Sequence, residues 1–409
     1  MRIAVDAHAI GRHLTGNEVY VRSLLREFAL LDADSEFTAY ISEKGAERLV
    51  PRRFTTRRIA TDPYFRLGWD LSRRLAGDRP DLIHVQYTAP LINRTPVVVT
   101  VHDVSFIEHP EYFTAVRRAQ LRFNVARTVK LAARIITVSE FSRDAILRAY
   151  PVVSPDKVHV IPNAVSSEFR VVARGRASLA IKNRFGIEAP FIFSVGDLQP
   201  RKNHIGLITA FASLAAAHPE LDHHLVIAGQ NTWFTPKVHA AAQASGVASR
   251  IHFTGFVSDA DLVRLYNACD CFVFPSFYEG FGLPILEAMA CGRAVACSNT
   301  SAMPEVADGA GLLFDPRNPA SIARAVADVL LDAELRERME SRGLQRAAHF
   351  TWRKSAQATL DVYREVVADG AAVRATAPIM AAEARKRDSG STEHSAAASD
   401  NTDRSNRKR

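Results

Sequence analysis

The sequence predicts an α/β fold built as two consecutive halves, each a mostly parallel sheet covered by helices. Three observations carry this. Short runs rich in Val and Ile alternate with longer segments of helical periodicity, the order expected of parallel strands joined by crossover helices. The alternation occurs twice, separated by a charged stretch over Phe169–Pro190. The 409 residues exceed what one core serves and suit two domains with a tail.

In the first half the strands are expected at Arg2–Asp6, Phe37–Ile41, Leu82–Val85, Val97–Val101, Ile135–Val138 and Val158–Ile161. Each is a short apolar run bounded by turn-forming or charged residues. Helical patterns fall between them, chiefly Glu18–Leu30 and Arg117–Leu131. Pro162-Asn163 marks a loop after the last strand, and a charged helical segment leads into the second half. There the strands are expected at Phe191–Val195, Leu225–Ala228, Ile251–Phe253, Cys271–Phe274 and Ala294–Cys297. Helices are expected at Ile205–Ala217, Lys237–Ala244, Asp259–Asn267 and Leu283–Met289. The domains are therefore 1–170 and 188–350, followed by a helix over 351–370 that packs back across the junction. Beyond it, 371–409 is poor in apolar residues and carries the basic clusters Arg385-Lys386-Arg387 and Arg407-Lys408-Arg409. That composition cannot offset chain entropy, which predicts a disordered tail.

Composition excludes several classes. Hydrophobic residues are 47% and charged residues 23%, as in soluble globular proteins. No apolar run approaches the roughly 20 residues that span a bilayer. The N-terminal segment lacks the apolar core of a signal peptide, so it reads as the first strand of a cytoplasmic protein. Cys269, Cys271, Cys291 and Cys297 lack the C-x-x-C spacing of a zinc site and read as buried free thiols. A net charge of +8 suits an anionic ligand, an anionic membrane surface or nucleic acid. No nucleic-acid-binding motif accompanies it.

Chemistry concentrates in two strand–loop–helix units of the second half. The first is Pro275-Ser276-Phe277-Tyr278-Glu279-Gly280-Phe281-Gly282-Leu283-Pro284, running on to Glu287. Ligands of open parallel sheets bind beyond the carboxyl ends of the strands. A helix N-terminus there offers free N–H groups to phosphate, and Gly280 and Gly282 allow close backbone approach. Glu279 and Glu287 can each hold a vicinal diol by two accepted hydrogen bonds. The second unit, Val195-Gly196-Asp197-Leu198-Gln199-Pro200-Arg201-Lys202-Asn203, sets two cations at a helix start. Arg grips phosphate oxygens bidentately and Lys adds a point charge. Together the units fit a nucleoside diphosphate ester.

With these motifs the sequence resembles the family-4 group of retaining glycosyltransferases, whose fold is GT-B. The matching pieces are Glu279–Glu287 as E-x7-E, Gly196 with Pro200-Arg201-Lys202-Asn203, Thr254-Gly255-Phe256-Val257-Ser258-Asp259, Met289-Ala290-Cys291-Gly292 and Pro304-Glu305-Val306. The likeness is dense from Phe191 to Phe350 and patchier before Phe169. It implies two Rossmann-like domains facing across a cleft, with the acceptor on the N-terminal side and the nucleotide-sugar on the other. It further implies that Glu287 binds the donor ribose and Glu279 the transferred sugar. Arg201 and Lys202 neutralise the diphosphate, and the backbone of Phe256-Val257 holds the base. The donor contacts then also include Gly280, Phe281, Gly282 and Leu283. Some members carry Arg after the Gly196 position; here Asp197 stands there, which leaves the phosphate contacts to Arg201 and Lys202. In the first half, Thr15-Gly16-Asn17-Glu18 and Thr100-Val101-His102-Asp103 resemble acceptor-side motifs. Gly16 is expected at the phosphate and acceptor, and His102 at the donor sugar or acceptor, ahead of its neighbour His109.

The expected activity is transfer of a hexose, foremost mannose from GDP-mannose, onto a glycan or lipid-linked acceptor of surface polysaccharide assembly, with retention. UDP-hexose transfer, sugar-nucleotide epimerisation and a non-catalytic nucleotide-binding module are the alternatives. No cofactor or catalytic metal is expected. Asp32–Asp34 reads as a turn, and Ser258-Asp259-Ala260-Asp261 as a helix cap with acidic first-turn residues. Arg117, Arg118, Arg122, Arg127, Lys130 and Arg134 stripe one helix without an acidic residue among them. That pattern suggests peripheral contact with anionic lipid on the inner face of the cytoplasmic membrane.

Overall fold

Thirteen strands assemble into two all-parallel sheets in the computed structural model, which describes residues 1–12 and 15–370. The first sheet contains β1 (Arg2–Asp6), β2 (Glu36–Ile41), β3 (Thr55–Arg58), β4 (Leu82–Gln86), β5 (Val97–Thr100), β6 (Arg134–Thr137) and β7 (Val158–Val160). Its order is β3-β2-β1-β4-β5-β6-β7. The second contains β8 (Phe191–Val195), β9 (His224–Ala228), β10 (Ile251–Gly255), β11 (Cys271–Phe274), β12 (Val295–Ser298) and β13 (Leu312–Phe314), in the order β10-β9-β8-β11-β12-β13. In each sheet the direction of winding reverses beside the first strand, between β1 and β4 and between β8 and β11. Those reversals are the topological switch points at which doubly wound sheets bind ligands.

The central strands are buried along their whole length because helices cover both faces. Val97-Val98-Val99-Thr100 and Cys271-Phe272-Val273-Phe274 have no exposed residue, as parallel sheets require. All the expected strands are present, with ends shifted by a residue or two. Two strands are additional. β3, Thr-Thr-Arg-Arg, is exposed throughout at the sheet edge, so no apolar pattern marks it. β13 is three residues long.

The junction holds a helix, Arg174–Phe185. Its Ala177 and Ile181 belong to the same apolar cluster as Phe193, Phe272 and Leu286 of the second half. Val138 and Phe169 of the first half join that cluster too, so the halves share buried apolar surface. Both lie within the unit Met1–Leu360. A helix runs over residues 352–370. At its start Trp352 packs edge-on against Tyr20 at 6.1 Å, and Ser355 Oγ donates to the Pro162 carbonyl at 2.7 Å. The tail 371–409 lies outside the described residues. All four cysteines are buried and free.

Candidate active site between the two sheets

Loops from three neighbouring strands of the second sheet are stitched together beyond their carboxyl ends. The loop after β11 donates Phe277 N–H to the Arg201 carbonyl of the loop after β8 (2.9 Å). Arg201 Nη1 returns a bond to the Tyr278 carbonyl (2.7 Å). From the loop after β12, Ser301 Oγ accepts the Glu279 N–H (3.0 Å) and Thr300 Oγ1 donates to the Phe277 carbonyl (3.0 Å). The β8–β11 switch point is thus a rigid three-loop platform.

At its centre Glu279 bridges both cations. Arg201 Nη1 lies 2.7 Å from Oε2, and Lys202 Nζ 2.7 Å from Oε1. The Glu279 side chain is only 12% exposed, so its charge is held by these partners rather than by water. Burial pushes its carboxyl up, but Arg201 and Lys202 outweigh that and hold it at about 2. Lys202 also sits over the Phe274 ring, 4.9 Å from its centre. Gly196 makes room for it: a Cβ there would meet the Lys202 stem at 2.9–3.2 Å, and φ is +152°. Asp197, the departure from the family pattern, is turned aside and accepts the Gln230 N–H at 3.2 Å.

Glu287 lies on the helix Leu283–Ala290, where Pro284 occupies the first turn and Gly282 is the N-cap with φ 108°. The first turn directs N–H groups that no helical carbonyl can take. Glu287 is 8% exposed, and its Oε2 accepts the Tyr266 hydroxyl at 2.9 Å. Burial raises its carboxyl to about 7, against the lowering effect of the Tyr266 bond. It is therefore poised between protonation states near neutrality. Such a carboxylate can accept bonds from a diol, and the paired cations can hold phosphate oxygens.

The remaining expected contacts divide. Phe256 stands 56% exposed beyond β10, whereas Val257 packs partly onto the domain core. The Phe281 ring is buried at 5% and lies edge-on to Phe350 at 5.9 Å. The Phe281 ring therefore packs in the core, which leaves its backbone as the part that can face a ligand. Leu283 is likewise partly buried against that core. Gly16, expected in a loop, instead lies in the first turn of the helix Thr15–Leu31, with open space where its Cβ would stand.

From the first sheet, His102 follows β5. Its Nε2 is 2.9 Å from Gln86 Oε1. Gln86 Nε2 donates to the Asn17 carbonyl at 3.2 Å, which fixes the amide so that Oε1 faces the imidazole. His102 Nε2 therefore carries the proton. Tyr20 meets the ring edge-on at 4.8 Å and Tyr87 lies at 5.7 Å. Burial among these groups lowers the imidazole to about 4, so it is neutral at pH 7 and can take part in hydrogen bonds in that form. His109 instead pairs with Glu111 at 3.0 Å.

The two sheets meet here. A Cβ on Gly280 would stand 2.1 Å from the His102 carbonyl oxygen, so only glycine permits this approach. Ser139 Oγ and Ser142 Oγ both donate to the Gly280 carbonyl, at 2.6 and 3.0 Å. Tyr278 donates to Glu108 at 2.9 Å. The Glu305 carboxylate accepts the N–H groups of Glu140 and Phe141, at 3.0 and 3.2 Å, at the N-terminus of the helix Glu140–Ala149, where an anion is favoured. Tyr266, Ser139, Ser142 and Gln86 were not foreseen from the sequence. Glu305 appeared only as part of a motif string. The two D-x-D strings behave as turn and cap. Asp32 Oδ1 accepts the Asp34 and Ser35 N–H groups, and Ser258 Oγ accepts the Asp261 N–H. Among the described residues no group of three or more His, Cys, Asp or Glu is arranged to hold a metal.

Two helix-covered parallel sheets whose carboxyl-end loops converge on one charged site are the GT-B architecture. The chain belongs to glycosyltransferase family 4. The model of group 1 glycosyl transferases matches residues 178–346, and that of Glycosyltransferase Family 4 matches 14–169. The O-antigen chain mannosyltransferase B of Escherichia coli is 34% identical over 271 residues, 65% of this chain and 70% of that protein. A D-inositol 3-phosphate glycosyltransferase of Streptomyces bingchenggensis is 31% identical over 71% of this chain and 69% of its own length. The solved sucrose-phosphate synthase of Thermosynechococcus elongatus shares the fold with a TM-score of 0.75 at 19% identity, covering 90% of this chain and 100% of that one.

Proposed function

We propose that this glycosyltransferase moves a mannosyl group from GDP-mannose to a hydroxyl of a glycan or lipid-linked acceptor, with retention and without a divalent metal. The observation that carries this reading is the buried Arg201–Glu279–Lys202 cluster, set in the same platform as the Glu287 helix. The two cations and the helix N-terminus suit a diphosphate. Glu287 suits the ribose diol, Glu279 the sugar hydroxyls, and the Phe256-Val257 segment the base. Mannose is favoured by the 34% identity to a mannosyltransferase.

In the reaction the C1–O bond to the diphosphate breaks and the acceptor oxygen bonds C1 from the same face. The acceptor proton passes to the departing phosphate oxygen. Fixed cations that face the developing diphosphate charge lower the barrier without reorganising. His102, neutral and locked by Gln86, contributes a hydrogen bond to the sugar or acceptor. Mass spectrometry of products from a panel of nucleotide sugars and lipid-linked acceptors tests the assignment. A hexose added from GDP-mannose, with the donor's anomeric configuration by NMR, is expected. Transfer from UDP-glucose alone would replace the donor, and inversion would overturn the mechanism.

A further inference from the structure

Three segments leave the carboxyl ends of β3, β4 and β5 and form one rim of the first half, on the edge that also carries His102. They are tied by hydrogen bonds to backbone carbonyls. Leu91 N–H donates to the Leu67 carbonyl at 2.8 Å, and the Arg127 guanidinium spans the Ala89, Pro90 and Leu91 carbonyls. This rim is unusually apolar for a surface. Tyr64, Phe65 and Trp69 are 70%, 55% and 57% exposed, Ile92 is 68% exposed and Phe123 is 68% exposed. Phe65 and Trp69 project from the short π-helical stretch Arg66–Asp70 and its lead-in. Exposed large apolar side chains on segments bonded to one another are what an interaction site presents.

The surrounding charge is predominantly positive, with Asp62 and Glu111 as exposed exceptions. The helix Ala115–Leu131 bears Arg117, Arg118, Arg122, Arg127 and Lys130 and no acidic residue. Arg94 is also exposed. The acidic groups of the neighbouring segments are engaged: Asp62 accepts the Phe65 N–H, and Asp70 takes the Ala60 N–H and Arg74. Tyr and Trp beside Lys and Arg is the pairing that settles at the headgroup level of a bilayer. A deeply apolar protein partner would not need the basic border.

We infer that Tyr64, Phe65, Trp69, Ile92 and Phe123, bordered by these cations, dock the first half onto an anionic lipid surface. The inference deepens the proposed function, because it places the acceptor side of the cleft against the phase that holds a lipid-linked acceptor. Among the described residues no helix is long and apolar enough to cross a membrane, so the contact is peripheral.

The test is flotation of the full chain with vesicles of phosphatidylglycerol and phosphatidylethanolamine, without donor or acceptor. A wrong donor assignment therefore leaves this result untouched. Flotation at low salt, weakened by added salt and lost on phosphatidylcholine vesicles, is expected. The triple variant Phe65→Ser/Trp69→Ser/Ile92→Ser should bind at least ~10-fold more weakly with an unchanged thermal melt. The variant Arg117→Gln/Arg122→Gln/Lys130→Gln should lose the salt dependence. Failure of the parent chain to float overturns the inference. So does parental binding by the apolar triple variant, which would assign the contact to the basic tail. Self-association abolished by the triple variant, without vesicle binding, overturns it in favour of a second copy.

Discussion

The two halves bring contrasting chemistry to one cleft. The second half presents full charges that compensate one another in a buried cluster of Arg201, Glu279 and Lys202. The first presents a neutral imidazole fixed by an amide and flanked by two tyrosines. Charge of that kind attracts and orients an anionic donor before chemistry begins. A neutral hydrogen-bonding group adds little to anion capture and acts on the reacting centre. On the proposed function the comparison predicts a division of labour, with capture on one side and transfer on the other.

The largest effect should follow from breaking the charged side. Glu279→Gln leaves two poorly solvated cations without their anion, and removing one partner of a buried pair costs about 3–5 kcal/mol. Thermal denaturation without nucleotide should show that loss, and added nucleoside diphosphate should restore part of it. The parent's own contribution has a definite pH window. The Glu279 carboxyl is depressed to about 2, so its stabilisation is complete above the ordinary carboxylate range and vanishes as pH falls toward 2. An unchanged melting profile in the variant would mean that the cluster carries no structural weight.

A smaller effect is expected at Glu287. Glu287→Ala removes a charge-assisted hydrogen bond, typically about 1.5–3 kcal/mol, and calorimetry with nucleoside diphosphate should register it. Because burial raises this carboxyl to about 7, affinity in the parent should decline as pH falls through neutrality. Glu287→Gln should flatten that dependence. For stability the sign is opposite to that of Glu279: ionising Glu287 is disfavoured in the fold, so stability falls as pH rises from the ordinary carboxylate value through about 7. The smallest effect is expected from chelation. Exhaustive EDTA should leave turnover unchanged; abolition restored by Mg²⁺ or Mn²⁺ would require rereading one D-x-D string.

The same contrast governs how much was legible in the sequence. Strands such as Val97–Thr100 and Cys271–Phe274 are apolar on both faces, and burial of that kind is written directly into residue type. β3 escaped notice because an edge strand of Thr and Arg has no buried face. Glu279, Glu287, Arg201 and Lys202 were legible as candidates because they lie in strand–loop–helix units beyond strand ends, in motifs that resemble those of the family. Their partners were not. Tyr266 reaches Glu287 from another helix, Ser139 reaches Gly280 across 141 residues, and Glu305 caps a helix 165 residues away. No local pattern encodes such pairings. Phe281 shows that a residue inside a motif can also serve packing, because its ring fills the core.

The most direct test of the division of labour measures two quantities in two variants: calorimetric affinity for free nucleoside diphosphate, and sugar transfer. Lys202→Ala should lose affinity by roughly 10-fold or more, the consequence of deleting a charge-assisted contact. His102→Ala should retain most of the parental affinity yet transfer poorly. Transfer by His102→Ala at the parental rate, or equal loss of nucleotide affinity in both variants, would contradict the account.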